Sequence, residues 1–197
     1  PMIYLNEALK KGPETVESLF IWDATDDIQV HLSKFTALTE IGLGLPLDSP
    51  ELKYLPSLST LKTIIIYSDY LPEKAPEWIK KMPQLKSIQC FERKNTKKIP
   101  DWIFDLTQLE QLSFYGNKLT ALPEAIGQLK ELKVLELHQN KITTLPDALF
   151  ELKNLEVLTL SKNKLTILPD AIGNLKKLKT LEIAKMPLTE LPKSLAE

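Results

Sequence analysis

The chain has 197 residues, is 43% hydrophobic and 26% charged, and carries a formal net charge of −1. That length and apolar content suffice for a sizeable core, while the near-neutral charge leaves no electrostatic footprint for nucleic acid or an anionic membrane surface. Arg93 is the only arginine, so forked phosphate recognition has little to work with, and the single cysteine, Cys90, excludes an intramolecular disulfide.

No apolar run is long enough to span a bilayer, and no signal peptide is evident. The start at Pro1 without an initiator Met reads as a processed or engineered fragment. Tyr4 to Lys11 is predicted to be a short amphipathic helix with Leu5, Ala8 and Leu9 on one side, stopped by Gly12-Pro13. Val16-x-x-Leu19-x-Ile21 follows, and its alternation puts Leu19 and Ile21 on one face of a strand. The helix before it would cap the open face of a terminal coil.

The same inward pair recurs along the chain as Ile41/Leu43, Ile64/Ile66, Ile88/Cys90, Leu112/Phe114, Leu135/Leu137, Leu158/Leu160 and Leu181/Ile183. Successive steps are 22, 23, 24, 24, 23, 23 and 23 residues, a period that marks a stacked repeat and predicts about eight parallel strands. Asn140 and Asn163 stand where the chain turns off the strand, and a buried amide there can serve both N–H and C=O groups. Earlier turns carry Ala24, Pro46, Asp69 and Arg93 at that position, so they are expected to be less regular. Arg93, Lys94, Lys97 and Lys98 form a charge run that reads either as a solvated loop or as a docking patch for an acidic partner. Trp78 and Trp102, one repeat apart on the side opposite the strands, read either as space-fillers or as a contact surface.

From Ile99 onward the repeat is regular. Leu122-Pro123-Glu124-Ala125-Ile126 returns as Leu145-Pro146-Asp147-Ala148-Leu149 and as Leu168-Pro169-Asp170-Ala171-Ile172. Proline followed by an acidic residue suits the first turn of a short helix. The tails Leu132-x-x-Leu135-x-Leu137-x-x-Asn140-x-Ile142 and Leu155-x-x-Leu158-x-Leu160-x-x-Asn163-x-Leu165 resemble the leucine-rich repeat. The 23-residue Leu-Pro form resembles short bacterial repeats, and leptospiral leucine-rich-repeat proteins most of all.

The resemblance implies an α/β solenoid: a horseshoe with parallel strands on its concave face and short helical or 3-10 turns on its convex face. The expected organisation is one domain over 1–197, with a cap over 1–15, degenerate repeats over 16–98 and regular repeats over 99–197, the last incomplete. Leu188, Leu191 and Leu195 begin a further coil whose leucines and strand edge are expected to be covered by a partner chain, by self-association or by further sequence.

No catalytic constellation is visible. His31 and His138 fall in different coils, Cys90 occupies an inward position, and no phosphate loop or metal-ligand spacing occurs, so no enzyme activity, metal or cofactor is expected. What remains is surface. The position just after each inward pair reads Trp22, Gly44, Tyr67, Phe91, Tyr115, His138, Ser161 and Ala184. With strands roughly 4.8 Å apart, Tyr67, Phe91, Tyr115 and His138 would form a ring-bearing stripe, and the adjacent column adds Phe20, Ile65 and Glu136. Aromatics are enriched among binding hot spots; the alternative is that they only stack and stiffen the sheet. The reading is a protein-binding module with an unknown protein partner, and the resemblance implies a secreted or surface bacterial protein that meets host proteins. A self-assembling structural unit is the alternative.

Overall fold

The computed structural model describes residues 3–22, 28–68, 70–91 and 96–195. Ala24, Asp69, Arg93 and Lys94 lie outside the described residues. The chain divides into two compact units, Pro1–Gln89 and Cys90–Glu197.

The first unit opens with β1 (Ile3–Tyr4), which leads directly into α1 (Leu5–Lys11) and a 3-10 turn over Pro13–Thr15. Then come β2 (Ser18–Ile21), α2 (Ile28–Leu32), β3 (Glu40–Leu43), β4 (Thr63–Ile66) and, at the unit boundary, β5 (Ser87–Cys90). Leu19 pairs in register with Ile41 and Ile41 with Ile64, all parallel. These side chains are fully buried, so the alternation read from sequence sets the core layer. The second unit repeats the pattern with β6 (Gln111–Ser113), β7 (Val134–Glu136), β8 (Val157–Thr159) and β9 (Thr180–Glu182). Leu112, Leu135, Leu158 and Leu181 lie in register across them.

Nine strands are thus present among the described residues, against the eight expected. The extra one is β1. Tyr4 was expected to begin the capping helix but sits in extended backbone as its N-cap, paired with Phe20, while Ile3 pairs with Leu19. The cap therefore covers the first coil with a strand as well as a helix. Its edge-strand contribution is invisible in a two-residue pattern.

Opposite the strands of the second unit, each coil carries a five-residue 3-10 helix: Asp101–Asp105, Glu124–Gln128, Asp147–Glu151 and Asp170–Asn174. The repeated proline is the N-cap, one residue before the helix, and its carbonyl accepts the closing bond, as in Ile126 N–H to Pro123 O at 3.1 Å. The acidic residue beside it reaches the next coil: Ala148 N–H donates to Glu124 Oε2 (3.1 Å) and Lys193 N–H to Asp170 Oδ1 (2.8 Å). Coil-to-coil spacing is tight on this side. A Cβ on Gly127 would lie 2.8 Å from the Ala148 Cβ, inside van der Waals contact.

The amide ladder forms as expected. Asn140 Nδ2 donates to Phe114 O (2.7 Å) and Leu137 O (2.9 Å), while its Oδ1 accepts from Leu119 N–H (3.0 Å). Asn163 repeats this with Leu137 O, Leu160 O and Ile142 N–H. Asn117, not singled out from sequence, adds a rung by donating to Cys90 O and Tyr115 O. The residue before each rung is left-handed: Gly116, Gln139 and Lys162 at φ 69°, 59° and 58°, with Lys185 at 55° in the next coil. Trp78 and Trp102 are both buried, and the Trp78 indole N–H donates to Leu47 O at 2.8 Å. They fill the interior of their own units.

Candidate functional site

Outward positions of the strands in each unit form a sheet face, and every residue expected there can be located. In the first unit the rings gather around Phe20. Tyr4 meets it edge-on at 5.4 Å between centroids, Tyr67 meets it edge-on at 5.2 Å, and Trp22 lies tilted at 5.7 Å. Such offset and edge-to-face pairs suit the aromatic quadrupole. Tyr4, Trp22 and Tyr67 remain 58%, 57% and 40% exposed.

Two glycines make this possible. β3 presents Gly42 between Phe20 and Ile65, so the coil between Phe20 and Tyr67 raises no side chain at that register. Trp22 leans over Gly44, where a Cβ would come within 2.6 Å of the indole ring. The rings of the first and third coils therefore meet across the second. One expectation is corrected: Ile65, read as an open position, is only 7% exposed, so it belongs to the buried part of the strand layer. Tyr4 is the member that sequence reasoning placed elsewhere. Its signal was the Ile3/Tyr4 alternation, too short to stand out. Burial pushes the Tyr67 phenol above its usual pKa, and the Glu40 carboxylate adds to the rise.

The second unit has its own ring run. Phe91 meets Tyr115 at 6.2 Å, steeply inclined, and Tyr115 stacks on His138 at 4.0 Å with 26° between planes. His138 Nδ1 lies 3.4 Å from Thr159 Oγ1, which holds the imidazole in place. All three rings and Glu136 are half-buried, with Glu136 in register between Ser113 and Thr159. Here one ring follows another coil by coil, as the steps of 24 and 23 residues imply.

Other candidates resolve differently. Cys90, the single cysteine, is buried. His31 lies in the first unit beside Lys34 (3.3 Å), and His138 lies in the second. Among the described residues no group of three or more His, Cys, Asp or Glu side chains could hold a metal ion. No helix among them is long and apolar enough to cross a membrane. Of the basic loop, Lys98 approaches Asp101 at 3.9 Å with both side chains largely in solvent.

Residues 103–197 match the family model of the leucine-rich repeat region. The strands, the turn amides and this match agree. The chain has the leucine-rich-repeat fold. Among solved leucine-rich-repeat structures, one from Leptospira interrogans is 24% identical, covering 97% of this chain and 60% of its own, with a TM-score of 0.54. An internalin of Listeria monocytogenes is 18% identical over 92% of this chain and 58% of its own, at 0.57. A plant peptide hormone receptor, RGFR1 in complex with RGF2, is 20% identical over 92% of this chain and 34% of its own, at 0.62. The chain thus spans less than two thirds of the length of each. At these identities the likeness is one of fold, and it agrees with the leptospiral resemblance carried by the Leu-Pro repeats. No curated protein matches the chain in sequence.

Proposed function

We propose that this leucine-rich-repeat chain is a non-enzymatic protein-binding module that grips its partner on the sheet face. The observation carrying the reading is the placement of rings there: Tyr4, Phe20, Trp22 and Tyr67 in the first unit, Phe91, Tyr115 and His138 in the second. A ring left partly open in water gains most when a partner covers it, and aromatic side chains lose little rotamer freedom in doing so. Repeat folds present extended surfaces of this kind, and one neighbour of the fold is a receptor solved with RGF2 bound. The leptospiral resemblance of the Leu-Pro repeats extends the reading to a secreted or surface bacterial protein that contacts host proteins.

The test is affinity capture from cell-surface and extracellular-matrix extracts, comparing the intact chain with a Tyr67→Ala, Phe91→Ala, Tyr115→Ala variant. A partner held by the first and lost by the second, with unchanged circular dichroism, supports the reading. Equal capture by both sinks it. A second reading, self-association, is favoured by the exposed Leu191 and Leu195 of the second unit and would appear in light scattering as a concentration-dependent mass that the ring substitutions leave alone.

A further inference from the structure

Beside the ring run of the second unit lies a strip whose charge is one-sided. The turns that leave the strands there span 116–121, 139–144, 162–167 and 185–190. They hold five lysines, Lys118, Lys141, Lys162, Lys164 and Lys185, and one acid, Glu190. Backbone bonds set the lysines in neighbouring coils: Lys141 N–H donates to Leu119 O (2.8 Å) and Lys164 N–H to Ile142 O (2.9 Å). Lys118, Lys141 and Lys164 are therefore stacked at one position of three successive coils. Lys162 and Lys185 take the left-handed position beside them. Next to this column runs another of exposed hydroxyls, Thr120, Thr143, Thr166 and Thr189.

The other end of the same strands is built the opposite way. There Glu110, Lys133, Glu156 and Lys179 alternate in sign from coil to coil, with Lys133 on Glu110 and Lys179 on Glu156 at 2.6 Å each. Lys98 and Lys153 also approach carboxylates within the unit. None of the five strip lysines shares in these pairs. The strip therefore presents five cationic side chains with Glu190 as its one acid, a charge that an anionic ligand complements.

We propose that this edge of the second unit binds an acidic peptide segment laid in extended form across the coils. Alternate side chains of an extended peptide lie roughly 6.6 Å apart on one side, within reach of flexible lysine arms stepped by one coil. The hydroxyls of Thr120, Thr143 and Thr166 donate to the same carboxylates or to peptide carbonyls, whereas that of Thr189 donates to Thr166 O (3.2 Å). A peptide fits better than a ligand that is anionic on every side. Glu136 and Glu182 stand on the adjoining sheet face and repel charge there, whereas a peptide turns its other side chains to the rings. The strip also consists of lysines only, without the forked arginine that favours phosphate. The inference stands apart from the partner-capture reading, since it names a charge-matched site that is measured directly.

The test is fluorescence anisotropy of a labelled ten-residue peptide of alternating Glu and Ser, titrated with the full chain at low and high salt. Binding that weakens at least tenfold between 50 and 500 mM salt, and at least tenfold on Lys141→Glu with Lys164→Glu, is expected. Lys153→Glu with Lys176→Glu, an equal charge change on the 3-10 side, is expected to leave the affinity within twofold. The proposal is overturned if the peptide does not bind at low salt, or if the two double variants lose affinity alike. It is also overturned if a single-stranded oligonucleotide or a heparin fragment of equal charge binds the wild type more tightly than the peptide does.

Discussion

Asn140 serves three backbone groups from two coils with one buried amide. Replacing it by Ala strands Leu119 N–H and Phe114 O inside the turn, while Leu137 O keeps the Asn163 amide at 2.9 Å. Each unmet buried group costs about 1–3 kcal/mol, partly relieved by local shifts. Asn140→Ala is therefore expected to destabilise by about 3 kcal/mol, read as a lower urea midpoint at unchanged slope. A loss under about 0.5 kcal/mol would mean the amide is not what closes the turn. The residue before each rung makes the opposite case. Lys162 adopts φ 58° with a Cβ that resists it. Lys162→Gly should stabilise by about 1 kcal/mol, while Lys164→Gly, at an ordinary φ, should not. Thermal melts of the two variants check the contrast.

At the scale of the element, a coil is defined by what its two sides tolerate. The 3-10 side demands close approach, which is why Gly127 and Gly173 face Ala148 and Ser194 with no room for a Cβ. The strand side is looser and admits rings. Between them runs the column of alternating charge, where hydrogen bonding and charge from Lys179 hold the Glu156 carboxyl below its usual range. A carboxyl whose folded pKa is lowered contributes stability above its unfolded value, and that contribution disappears as the pH falls through the folded value. Lys133 is the mirror image: Glu110 raises it, so its contribution is present below the unfolded lysine value and lost as the pH rises through the folded one. Both pairs stand in solvent and their effect is small. Glu156→Gln is expected to lower the urea midpoint at neutral pH and low salt, with the difference vanishing in strong acid and in molar salt. A difference that persists in acid would place its origin elsewhere.

For the whole molecule, the three tryptophans report on three places. Trp22 is open on the sheet face of the first unit, Trp78 is buried in that unit, and Trp102 is buried in the second. Acrylamide should quench one emission component strongly and the remainder weakly, and Trp22→Phe should remove the strong one. Retention of the quenchable component in that variant would contradict the placement. In the wild type a partner seated on the first unit's sheet face would shield Trp22 alone, so the same measurement locates binding.

The period of 23, the inward leucine pairs and the turn amides were legible in the sequence because each is a local rule repeated, and repetition turns a weak signal into a strong one. Sequence by itself therefore determined the leucine-rich-repeat fold, the core layer and the line of candidate rings. The tertiary structure alone decided which rings meet. Gly42 and Gly44 let Phe20 and Tyr67 touch across a coil, β1 brought Tyr4 to Phe20, and Ile65 is buried. Spacing along the chain sets the register of a side chain. How far that side chain leans depends on the bulk of its neighbours in space, and those neighbours are known only once the coils are stacked.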